Sequence, residues 1–206
     1  MQGGYFIKKK RLCEIAKIFT GVRIDRYILN SQSSDNKSYE EKPVITQKIS
    51  NNKLNIEFKK VSKIDSQYYS KNEDILIRLT EPNNVYLIEN DGIIIHSNYA
   101  IIRLKEGYDY KYIYYLLKSN EFLKQIHKKL TGTILKTVSI NDLKQTEFEI
   151  PKLKKQRKYG KLLELIEKKL ELEKKSLELK ENYYKTFSNQ ILGENTHVTI
   201  PKPIRK

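Results

Sequence analysis

Few residues of this chain stand at spacings that could make or break covalent bonds. There is no glycine-rich phosphate loop, no GxSxG elbow, no HExxH and no Cys–His pair. Cys13 is the single cysteine, and with His96, His127 and His197 scattered along the chain no His/Cys metal site can be assembled. Glu57-Phe58-Lys59 has the carboxylate-x-lysine form that ends a metal-dependent nuclease site. Three-residue matches of that kind arise by chance in a chain with 40 Lys+Arg and 25 Asp+Glu. The Asn-Pro-Pro-aromatic tetrapeptide that holds a flipped adenine is also missing. If the chain serves an enzyme, it is the part that aims rather than reacts.

The groups that are present suit the binding of a polyanion. A net charge of +15 and a pI near 9.6 favour a nucleic-acid partner, and the basic excess is spread over the whole chain. Lys128, Lys129, Thr131, Gly132, Thr133 and Lys136 place ammonium groups, hydroxyls and backbone N–H groups beside a glycine. That donor set is what phosphates and base edges accept, although an ordinary solvated turn has the same composition. Arg23, Arg26, Arg78, Asn83, Asn84, His96 and Asn98 are the further candidates for reading bases, and the sequence does not rank them.

These groups must be held by a framework, and the hydrophobic pattern predicts an α+β one. Leu12, Ile15, Ala16 and Phe19 recur at helical spacing within Phe6–Phe19, with Gly21 as the stop. Residues 22–72 are polar and loop-rich, with short strands expected at Val44-Ile45, Leu54 to Phe58 and Val61 to Ile64. Three strands follow: DILIRL from Asp74, VYLI from Val85, and GIIIHSNYAIIRL from Gly92. Tyr108–Leu130 predicts a helix that Ser119 and Asn120 could break into two. Ser139 and Asp142 resemble a capping box, and Glu147 to Ile150 alternates as a strand.

From Pro151 to Leu192 the pattern is that of one long helix, with Leu163, Leu170, Leu177, Tyr184 and Ile191 recurring every seven residues. At ~1.5 Å per residue such a helix is about 60 Å long, more than a domain of this size can bury. Its first stripe is Tyr159 with Leu163, Ile166, Leu170, Leu177, Tyr184, Phe187 and Ile191; Glu173 and Lys180 interrupt it. A second stripe, Leu162, Leu165, Leu172, Leu179 and Tyr183, lies round the helix from the first. Two stripes imply two partners. The expected organisation is an α+β domain over 1–151, a helical arm over 152–192 and a disordered tail over 193–206. No signal peptide or membrane-length apolar run is visible, and with one cysteine the expected location is the cytoplasm.

Taken in order, these pieces resemble one half of the DNA-specificity subunit of type I restriction-modification systems. The resemblance lies in RLCEIAKIFTG, Asp74 to Ile77, Ser97-Asn98 with Ala100 and Arg103, and the Tyr112, Tyr115, Leu116, Leu117 helix. It continues through Thr131-Gly132-Thr133 and Ile140 to Leu143 to the boundary motif Ile150, Pro151, Leu153 and Gln156. Asn72 and Glu73 stand where that family has a glycine before Asp74, a left-handed turn that Asn tolerates, and Tyr159-Gly160 where Ile and Ala are common. The resemblance implies a non-catalytic target recognition domain that reads double-stranded DNA, and a long helix that forms an antiparallel coiled coil. It also implies methyltransferase subunits that use S-adenosylmethionine, with none in this chain, and a possible restriction subunit. A chain with one domain and one helix would then homodimerise to address a bipartite site. The other reading is a truncated fragment that docks on the methyltransferase without reading DNA.

Overall fold

The strands over Ile75–Arg78 and Tyr99–Leu104 are buried on both faces for most of their length, which is why they read as continuous aliphatic runs rather than alternating ones. In the computed structural model, which describes residues 9–28, 38–50, 53–129 and 137–191, the central sheet has four antiparallel strands. They are β1 (Ala16–Thr20), β2 (Ile75–Arg78), β3 (Val85–Leu87) and β4 (Tyr99–Leu104), in the order β1-β4-β2-β3. Ile75, Ile77, Ala100 and Ile102 face one layer, together with Ile113, Leu117, Phe122, Ile126, Leu143 and Phe148. The alternate residues Leu76, Tyr99 and Ile101 face the other, with Ile45, Ile93 and Ile95. One sheet thus serves two cores.

The helical layer comprises α1 (Tyr110–Leu117), α2 (Asn120–His127) and α3 (Ile140–Lys144). Ser119 separates the first two by capping α2, its Oγ accepting from Phe122 N at 3.3 Å. Ser139 and Asp142 form a reciprocal capping box at α3, so the shorter Asp serves where Glu is usual. A short pair, β5 (Lys9–Arg11) and β6 (Glu147–Glu149), closes the domain.

The opposite layer is a three-stranded sheet of β7 (Glu40–Ser50), β8 (Lys53–Val61) and β9 (Ile94–Ile95). The first two make one long hairpin in place of the expected short strands. Ile64, expected within a strand, is buried in a third small core with Val22, Ile24, Val44, Val61 and Ile94. The stretch after Gly92 bends at Ser97-Asn98, so it gives β9 to this layer and β4 to the central sheet.

Two expectations are corrected. Of the helix expected over Phe6–Phe19, the described residues form only one turn, Leu12–Ile15, and Ala16–Thr20 is a strand whose register pairs Ile18 with Ile102. Pairing with β4 satisfies that backbone and buries Ala16 and Ile18, which overrides the local 3.6-residue spacing. Gly21 therefore ends a strand, not a helix. The left-handed residue before Asp74 is Glu73, with φ 70°, and not Asn72. Its N–H donates to Ile88 O at 2.9 Å, while Asp74, 1% exposed, accepts two bonds from Arg103 at 2.8 and 2.6 Å. A left-handed L residue costs ~1–2 kcal/mol, part of which glycine loses to chain entropy. Glu73→Gly is therefore expected to stabilise by about 0.5–1 kcal/mol, a rise of a few degrees in Tm. A lower Tm would show that the Glu73 side chain compensates its strain.

Last comes α4 (Leu153–Ile191), 39 residues and about 58 Å long. The chain divides into two compact units, Met1–Lys161 and Leu162–Lys206. The first turns of α4 belong to the first unit and explain the boundary motif. Gln156, 2% exposed, accepts from Asp109 N at 2.9 Å and donates to Pro151 O at 2.8 Å. Asp109 itself caps α1 by accepting from Tyr112 N. Gly160 packs on that cap, where a Cβ would come within 2.7 Å of Asp109 Oδ1. Gln156 and Gly160 thus lock the start of the arm to the start of α1. The proposed tail over 193–206 lies outside the described residues.

Candidate nucleic-acid interface

The candidates fall into two groups, joined through Asn98. In the first, Asn98 N donates to His96 Nδ1 at 3.1 Å and Asn98 Nδ2 donates to Gln47 Oε1 at 3.2 Å. Burial lowers the His96 pKa; Asp25 opposes this and Lys59 adds to it. A neutral imidazole accepting at Nδ1 carries its proton on Nε2, which is then a fixed donor.

Gln47 is presented by an irregularity in the hairpin. Ile45 pairs with Ile56 and the next matched pair is Ile49 with Leu54, so Thr46, Gln47 and Lys48 stand opposite Asn55 alone. Such a bulge turns successive side chains away from strict alternation. Thr46 goes inward and is bonded by Asn55 Nδ2 at 3.1 Å, while Gln47 and Lys48 are exposed. Asn55 Nδ2 also donates to Glu57 Oε1 at 2.9 Å, and Glu57 pairs with Lys59 at 3.5 Å and Lys48 at 3.9 Å. With Asp25 and His96, the residues Thr46, Gln47, Lys48, Glu57 and Lys59 line a cleft of about 190 Å³. Glu57 and Lys59 of the nuclease-like fragment thus sit in an ion-pair network. Among the described residues no group of three His, Cys, Asp or Glu is placed to hold a metal ion.

The second group is the turn between β2 and β3 with the end of α2. Glu81 Oε2 accepts from Asn84 Nδ2 at 2.8 Å and from Arg78 Nη1 at 3.4 Å. Asn83 Oδ1 lies 3.4 Å from His127 Nε2, next to the exposed Lys128. Lys129 reaches Asp142 O at 3.4 Å. Val138 N donates to Leu79 O and Leu79 N to Asn98 O, both at 2.9 Å, so the loop's far end returns to the same edge. Thr131, Gly132, Thr133 and Lys136 lie outside the described residues. Arg23 and Arg26 are exposed on the turn Ile24–Arg26, and Arg26 borders a separate cleft with Tyr27, Ser62 and Lys63. Among the described candidates, His96 and Asn98 form the first group, Arg78, Asn83, Asn84, Lys128 and Lys129 lie on the second, and Arg23 and Arg26 stand apart from both. Gln47, Lys48 and Asn55 were not singled out from the sequence, and Lys59 was met only in the nuclease-like fragment; for Asn55 and Lys59 the alternation from Lys53 to Lys60 was the available signal, and for Gln47 and Lys48 there was none.

On the second unit every residue of the first stripe from Leu163 onward is at least 38% exposed, and Leu172, Leu179 and Tyr183 of the second are more so. Tyr183 stacks on Phe187 with ring centres 6.1 Å apart. Lys169–Glu173 and Glu171–Lys175 pairs at i,i+4 spacing support the helix, the first of them reaching the seam position of Glu173. No helix among the described residues is long and apolar enough to cross a membrane.

A family model described as the type I restriction modification DNA specificity domain matches residues 7–181. No significant match is found among curated proteins. Among solved structures the chain is similar to the HsdS subunit from Thermoanaerobacter tengcongensis, at 16% identity and a TM-score of 0.61, over 98% of this chain and 54% of that one. It is similar to a chain from a study of complex assembly and conformational transition of the type I R-M system, at 16% identity and a TM-score of 0.63, covering 96% and 51%. A third is the type I restriction-modification system S subunit from M. genitalium, at 16% identity and a TM-score of 0.57, covering 95% and 48%. At these identities the likeness is one of fold, and the chain spans about half the length of each structure.

Proposed function

The chain belongs to the type I restriction-modification DNA specificity family, and from that membership we propose that it is a DNA-reading subunit which directs partner adenine methyltransferases to a bipartite site. The observation that carries this reading is the convergence of Gln47, His96, Asn98, Arg78, Asn83 and Lys128 on linked elements of a basic domain. Arg, Asn and Gln side chains supply bidentate base contacts, and the lysines supply phosphate contacts. The chain's role is aim; S-adenosylmethionine and the methyl transfer belong to the partner. Where a restriction subunit is present it joins the same assembly, which acts in the cytoplasm.

The arm supports two contacts. The stripe of Leu163, Ile166, Leu170, Leu177, Tyr184, Phe187 and Ile191 pairs with a second copy, and the stripe around Leu172 and Leu179 receives the methyltransferase. A two-fold pair presents two identical reading domains, so the site is a palindrome whose halves flank an unread spacer. Sequencing the methylated sites in a host that expresses this chain with its methyltransferase tests the proposal. A bipartite palindromic adenine motif is expected. An asymmetric motif would remove the homodimer. Salt-sensitive binding of the purified complex with no sequence selectivity would instead favour an interaction fragment that no longer reads DNA.

A further inference from the structure

Gln47 is the one residue of the hairpin bulge that combines an exposed planar amide with a fixed neighbour from a distant strand. Thr46 is committed to Asn55 and Lys48 approaches Glu57 at 3.9 Å. The carboxamide of Gln47 accepts a single bond, from Asn98 Nδ2 at 3.2 Å, across 51 positions of sequence. Asn98 is itself rigidly held, its N–H on His96 Nδ1 and its carbonyl on Leu79 N, and that carbonyl ties it to the edge that carries Val138. The backbone that carries the orienting amide is therefore held on both sides, and the group that amide bonds is the exposed one.

An amide oxygen has two lone pairs. With one taken by Asn98, Gln47 keeps the other and both Nε2 hydrogens, enough to accept from adenine N6 and donate to adenine N7. Lys48 on the same bulge and Lys53 at the start of β8 are exposed, and their ammonium groups are of the kind that phosphates accept. We infer that Gln47 reads one adenine of each half-site in the major groove, with Asn98 as the positioning residue that fixes its amide. This rests on the DNA-reading function proposed above and names a residue that determines what is read.

The test compares methylated sites in hosts that express the methyltransferase with the wild-type chain, Gln47→Ala, Gln47→Glu or Asn98→Ala. Gln47→Ala is expected to relax selectivity at one A·T position per half-site by roughly ten- to a hundredfold, every other position staying fixed. Gln47→Glu, which only accepts, is expected to move that position toward C·G, because a carboxylate accepts from cytosine N4. Asn98→Ala is expected to relax the same position to a lesser degree, a readout that a purely structural role would not move. Gln47 is exposed, so its variants should melt with the wild type. An unchanged motif in both Gln47 variants overturns the assignment and leaves the reading function intact. Uniform loss of methylation at unchanged stability also overturns it, in favour of general DNA binding. A wild type that yields no motif at all overturns the reading function and the assignment together.

Discussion

Gly21→Ala is expected to cost at least about 3 kcal/mol of stability, a fall in Tm on the order of 10 °C, although only one methyl group is added. The reason is steric and local. A Cβ at Gly21 would stand 2.2 Å from the carbonyl oxygen of Ile95 and 2.4 Å from that of His96. Those atoms are backbone, so they cannot rotate away as a side chain could. The residue is also pinned from both sides, with Gly21 N donating to Tyr99 O at 3.0 Å and Val22 N to Ile95 O at 2.8 Å. Relief of the clash must open the junction where β1 leaves the central sheet and crosses β9. Since β9 pairs in parallel with β7, the hairpin that carries Gln47 would shift with it. Equilibrium urea unfolding of the purified chain checks the stability loss, and a variant within about 1 kcal/mol of wild type would show that the crossing can widen. Selective DNA binding should weaken even where the variant remains folded, because His96 and Asn98 lie on the same junction.

The parts of the fold legible in the sequence are those that local chemistry decides. Ser119 and the Ser139/Asp142 box marked helix starts because a side-chain oxygen three residues before an N–H makes a cap whatever surrounds it. The long arm was legible because its period persists over many turns. What was not legible depended on partners far away in sequence. Ala16–Thr20 is a strand because β4 lies beside it, and no property of AKIFT announces that neighbour. Gly21 reads as a helix stop until the carbonyls of Ile95 and His96 come over it. At the candidate interface, residue type alone pointed to His96, Asn98, Asn83 and Arg78. Gln47 stayed hidden because its exposure depends on a register shift between β7 and β8, and register is set by pairing rather than by composition.

Leu177→Lys is expected to convert a dimer of this chain to monomer, weakening association by about a thousandfold, since one leucine is lost from each copy at ~2 kcal/mol or more apiece. Charge reversal then decides how the helices run. In the heptad of Leu163, Leu170, Leu177 and Tyr184, the companion core positions are Ile166, Glu173, Lys180 and Phe187. Parallel helices would oppose Glu173 to Glu173 and Lys180 to Lys180, burying like charges twice. Antiparallel helices instead set Leu163 against Phe187, Leu170 against Lys180, Leu177 against Glu173 and Tyr184 against Ile166. Glu173 and Lys180 of opposite copies then occupy successive layers on the same seam, about 5 Å apart along the axis, while their stems cover the leucines. Glu173→Lys should therefore weaken the antiparallel dimer on the order of tenfold, through two symmetric repulsions, and adding Lys180→Glu should restore it. In a parallel dimer the single change merely replaces one like pair by another, and the double change rescues nothing. Sedimentation equilibrium of the four chains at low salt distinguishes the arrangements. Only the antiparallel one would hold two copies of the first unit at opposite ends of the paired helices, as the bipartite site proposed above requires.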